Sequence, residues 1–111
     1  MTRADCSAKA ELSGKLRQMI AALEEERQAL ASLDSDGLFE SARQKEALCQ
    51  SLAATAPETL DEEARLLAQT ARQMNDVNRR VRNLLAANVA KRLEALGAES
   101  HSYKHPESLA V

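Results

Sequence analysis

Residues 60–96 read LDEEARLLAQTARQMNDVNRRVRNLLAANVAKRLEAL. The stretch holds no Gly or Pro, and no capping signal interrupts it. Its spacing predicts one helix of about 36 residues, roughly 54 Å long at 1.5 Å per residue, against the ~30 Å that spans a small domain. A helix of that length cannot hide its whole apolar stripe against two shorter partners in the same chain. Part of the stripe is therefore expected to stay open for another protein.

The rest of the chain fits the same architecture. With 111 residues it amounts to a single domain. Of its residues 44% are hydrophobic, yet Ala and Leu supply most of them, and there is one Phe, one Tyr and no Trp. Rare Gly and Pro with abundant Ala, Leu, Glu, Arg and Gln mark a helical bundle or coiled coil and argue against a sheet protein. An alanine-rich core lets helices approach closely but buries little area per residue, so stability is expected to be modest.

Upstream, Leu12, Leu16, Met19, Leu23, Leu30 and Leu33 follow the 4-3-4 spacing of a helical seam, with Glu26 in the slot that should be apolar. Thr2-x-x-Asp5 forms a weak capping box for this first helix. Asp34-Ser35-Asp36-Gly37 marks a turn, with Asp36 as the expected N-cap of the second helix. That helix should face inward through Leu38, Ala42, Leu48 or Cys49, and Leu52, while Lys45 falls near the same face and would have to snorkel outward. Thr55-Ala56-Pro57 breaks the chain. The third helix then starts either with Pro57 at its first position or with Thr59 as cap, where Thr59-x-x-Glu62 is a capping box. Gly97 is the expected stop. The reading is all-α: a three-helix antiparallel bundle over 1–97, with helices at about 5–33, 37–54 and 58–97, coiled-coil-like seams, a long third helix, and a flexible tail over 98–111.

Within the long helix, Leu60, Ala64, Leu67, Ala71 and Met74 keep a narrow seam. Beyond Met74 the pattern widens. Asn75, Asn78 and Asn88 take core-type slots, while Val77, Val81, Leu84, Leu85, Val89, Leu93 and Leu96 spread over a drifting stripe. Arg79, Arg80, Arg82, Lys91 and Arg92 face only Glu94 between Val77 and Leu96, a local excess of +4 in a chain whose net charge is −2. Basic charge around a leucine–valine strip suits an amphipathic partner segment that carries acidic residues. The bland alternative is an ordinary core stripe with a solvated arginine face. The asparagines could set helix register or bond a partner's backbone.

Several chemistries find no support. Glu24, Glu25 and Glu26 are consecutive on a helix, point in different directions and have no accompanying nucleophile, so they do not form an acid–base pair. His101 and His105 lie four apart in a Pro-containing tail without further ligands, so no metal site is expected. There is no glycine-rich phosphate loop, and the net charge is too balanced for a general nucleic-acid binder. No apolar run reaches the ~20 residues of a membrane span, and the polar start Met1-Thr2-Arg3-Ala4-Asp5 has no signal-peptide core. Cys6 and Cys49 do not suggest a disulfide scaffold; Cys49 reads as a small core residue, and a cytoplasmic, reduced protein is expected. No enzyme activity and no cofactor are expected.

Leu23-Glu24-x-Glu26-x-x-Ala29-Leu30, then Asp34 or Asp36 ahead of Leu38 and Lys45-x-x-Leu48, then Asn78 ahead of Leu84-Leu85 with Tyr103 soon after, together resemble the FlgN family of flagellar type III export chaperones. The likeness covers roughly residues 12–103. It departs from the family's pattern at Val81-Arg82, where an Asn-Gly pair is usual, and at Lys104-His105-Pro106, where small residues often follow the tyrosine. The resemblance implies a helical bundle that holds the C-terminal segments of hook–filament junction proteins (hook-associated proteins) in the cytoplasm and delivers them to the flagellar export gate. It implies that the third helix binds the client, here through Val77, Asn78, Val81, Leu84, Leu85, Asn88, Val89, Leu93 and Leu96, and that Tyr103 docks at the gate. A structural coiled-coil protein, whose third helix forms a homodimer seam with no client, is the reading from another class; a weak homodimer is compatible with the first.

Overall fold

The computed structural model describes residues 3–55 and 60–100. Three helices account for nearly all of them: α1 (Arg3–Ser32), α2 (Ser35–Thr55) and α3 (Glu62–Ser100). The chain falls into two units, Met1–Arg80 and Val81–Val111. The first holds α1, α2 and the N-terminal half of α3 as a three-helix bundle; the second holds the C-terminal half of α3.

Inside the first unit the helices run up, down and up, in layers that follow the heptad spacing of α1. Leu12 and Leu16 of α1 enclose Ala64 of α3, with Leu52, Leu67 and Ala68 packed around them. One heptad further on, Met19 and Leu23 enclose Ala71, joined by Leu48, Leu52 and Met74. The buried apolar residues that α3 adds are alanines. That choice lets α3 approach the α1–α2 hairpin closely and keeps the core small.

The α1–α2 corner is built differently from the expectation. Leu33 adopts a left-handed conformation, φ 56°, and its N–H donates to Leu30 O (3.3 Å) while the N–H of Asp34 donates to Ala29 O (2.9 Å). This pair of bonds is a Schellman motif, which ends a helix with a left-handed residue. Leu33 is consequently 70% exposed and does not belong to the seam. Because α1 stops there, Asp34 and not Asp36 caps α2: its Oδ1 accepts from Gly37 N at 3.1 Å, and its carbonyl accepts from Leu38 N at 3.0 Å. Gly37 is needed for closeness, since a Cβ there would stand 2.7 Å from Asp34 Oδ2 and 3.1 Å from Ala29 Cβ.

Other boundaries move for similar reasons. α3 starts at Glu62 because the Asp61 carboxylate caps it, accepting from Ala64 N at 2.8 Å; Leu60 precedes the helix and is exposed. The capping residues Thr2, Pro57 and Thr59 lie outside the described residues. Gly97 keeps a negative φ, so no left-handed turn forms and α3 continues to Ser100. The expected tail thus begins with three helical residues, and the remainder, 101–111, lies outside the described residues. On α2 the inward face is Leu38, Ser41, Lys45, Leu48 and Leu52, while Ala42 and Cys49, each one position off, are exposed. Ser41 is buried, with its hydroxyl donating to Gly37 O.

Candidate functional site

Two features of α3 bear on function, one buried and one exposed. The buried one lies in the first unit, one heptad beyond the Met19–Leu23–Ala71 layer. Glu26 is 3% exposed and Asn78 is 2% exposed. Asn78 Nδ2 donates to Glu26 Oε1 and to Leu23 O, each at 2.9 Å. Lys45 Nζ reaches in from α2, donating to both Glu26 oxygens at 3.3 Å and to Asn75 Oδ1 at 2.8 Å. Its side chain is 20% exposed, so the ammonium turns inward onto Glu26 and does not snorkel out. Within the described residues no buried side-chain polar atom lacks a partner. A buried polar layer with every member bonded is the arrangement in which such groups are tolerated.

Asn78, which the sequence offers either as a register-setting residue or as a client contact, is inside the bundle with its amide engaged. Val77 is exposed at the bundle surface, beside a shallow groove lined also by Arg27, Gln73 and Met74.

The second feature lies in the second unit. There Leu84 is 66% exposed, and Val89, Leu93 and Leu96 are also exposed. Asn88 is exposed, whereas Val81 and Leu85 are half-buried. On a helix these residues span a wide arc, since 81, 85, 89 and 96 step round one side and 84 and 93 flank it. Arg82, Lys91 and Arg92 lie among them with Glu94 as the one acid in residues 81–96. An exposed apolar strip on a helix, here interleaved with basic side chains, is a candidate protein-docking surface. Tyr103, the expected gate-docking residue, lies outside the described residues.

Sequence reasoning marked Glu26, Lys45 and Asn78 separately as misfits and did not join them. Folding the hairpin at Asp34–Gly37 would have joined the first two, because Glu26 and Lys45 are equally far from that turn. Leu23 and Leu48 form such a pair, as do Met19 and Leu52, and both pairs share the second apolar layer.

Among the described residues, no group of three or more His, Cys, Asp or Glu side chains is placed to hold a metal ion. None of their helices is long and apolar enough to cross a membrane. Comparison with protein-family models, curated proteins and solved structures finds no match.

Proposed function

We propose that this chain is a non-enzymatic, cytoplasmic export chaperone of the FlgN kind, binding the C-terminal segments of hook–filament junction proteins along residues 81–96 and passing them to the flagellar export gate. The observation that carries the reading is the row of exposed Leu84, Val89, Leu93 and Leu96 on one long helix. Val81, Leu85 and Asn88 complete the strip. Tyr103, by the family likeness alone, is the docking residue for the gate.

The chemistry of the strip favours a foreign segment over a second copy. Arg82, Lys91 and Arg92 against Glu94 give residues 81–96 a charge of +2. Pairing two identical strips would bring like charges together, whereas an acidic amphipathic segment would complement them. A client that folds on binding loses ordering entropy, so affinity should be moderate and readily reversed. Side chains such as Leu84 and Leu93 would each contribute on the order of 1–3 kcal/mol.

The test is capture of C-terminal segments of junction proteins by the wild type and by a Leu84→Asp/Leu93→Asp variant. Both positions are exposed, so the variant should keep its fold. Loss of capture with unchanged circular dichroism supports the proposal, and equal retention refutes it. Sedimentation addresses the homodimer alternative: a tight dimer that client segments do not dissociate would favour the structural coiled-coil reading.

A further inference from the structure

The two apolar layers of the bundle have a built-in ambiguity. α3 presents Ala64 to Leu12 and Leu16, and Ala71 to Met19 and Leu23. These alanines are seven residues apart, and α1 repeats at the same interval. Sliding α3 by one heptad, about 10 Å along its axis, would therefore exchange one alanine for the other in one of the two layers and leave that layer nearly as well packed.

The polar layer removes the ambiguity. A slide in one direction places Asn78 beside Met19 and Leu23, away from the Glu26 carboxylate it donates to. A slide in the other places Ala71 beside Glu26 and Lys45, removing the Asn78 amide from the carboxylate and the Asn75 carbonyl from the ammonium. Either move strips the buried Glu26–Lys45 pair of its two hydrogen bonds to α3, a costly loss in a small core. We propose that the Glu26–Lys45–Asn75–Asn78 cluster is a register lock that selects one alignment of α3 against the α1–α2 hairpin. Its members do not maximise stability. Three helices joined through one carboxylate, one ammonium and two amides are discriminated by bonding geometry, at the expense of the apolar burial that leucines would give.

The experiment measures alignment directly. Spin labels at Cys49 and at Gln69→Cys, in a Cys6→Ser background, report the distance between α2 and α3 from two exposed positions. The unaltered cluster should give a single narrow distance distribution. Glu26→Leu/Lys45→Leu/Asn78→Ala makes the third layer resemble the other two. This variant should show a second distance population or a clearly broadened distribution, with a melting temperature raised by about 5–15 °C. A single distribution identical to that of the parent would overturn the proposal, as would a lower melting temperature in a variant that stays folded. Should the triple variant fail to fold, Asn75→Ala/Asn78→Ala leaves Glu26 and Lys45 paired and removes only the contribution of α3. Broadening there supports the lock, and an unchanged distance refutes it.

Discussion

Asn78 of α3 donates to the Glu26 carboxylate of α1 across 2.9 Å, one heptad beyond the apolar layer of Met19, Leu23 and Ala71. The same carboxylate takes the Lys45 ammonium of α2, so one side chain receives both other helices. The consequences for stability are unequal for single and combined changes, which makes the layer accessible to experiment.

Glu26→Ala should be strongly destabilising. It deprives the Asn78 amide and the Lys45 ammonium of their shared acceptor and leaves a cavity where the carboxylate stood. Breaking a buried pair costs about 3–5 kcal/mol; Lys45 can reach water, so a loss of roughly 2–3 kcal/mol is expected. Urea unfolding measures it, and a loss below 1 kcal/mol would show that the cluster is not coupled as described.

Leu33→Gly should stabilise the fold. Leu33 holds a left-handed conformation and is largely exposed. A side chain in that region costs about 1 kcal/mol that glycine does not incur, partly offset by the greater freedom of glycine in the unfolded chain. The expected gain is about 0.5 kcal/mol, visible as a higher midpoint in denaturant with an unchanged slope.

Asp34→Ala should remove the cap of α2. Its carboxylate serves the Gly37 N–H, and loss of such a cap costs about 1 kcal/mol. Asp36→Ala, in the first turn of α2 but without the capping bond, should cost less. Equal losses in thermal unfolding would contradict the assignment of the cap.

Ala64→Leu should also destabilise the bundle, because Ala64 is enclosed by Leu12 and Leu16. Three extra carbons in that close approach are expected to cost about 1–3 kcal/mol. The matching change at exposed Ala86 should be nearly neutral, and the pair can be compared by calorimetry.

Much of the fold was legible because heptad spacing and the Asp34–Gly37 turn are local signals. The three helices lie close to where those signals put them. The misplaced details depend on competition between neighbouring residues that spacing does not rank. Asp34 and Asp36 can both cap α2, and the left-handed Leu33 decides for Asp34. Ala42 and Ser41 can both be drawn inward, and burial of Lys45 and Leu48 selects Ser41. The polar layer was the larger gap. A Glu, a Lys and an Asn on three helices read as separate misfits, and only their convergence turns them into a bonded core.

The most direct test of the docking account is residue-by-residue: amide chemical shifts of the labelled protein, followed while a C-terminal junction-protein segment is titrated in. The account predicts saturable perturbations concentrated in residues 81–96, with the amides of the Leu12–Leu16 and Met19–Leu23 layers little changed. Perturbations confined to α1 and α2, or none at a millimolar concentration of the segment, would contradict it.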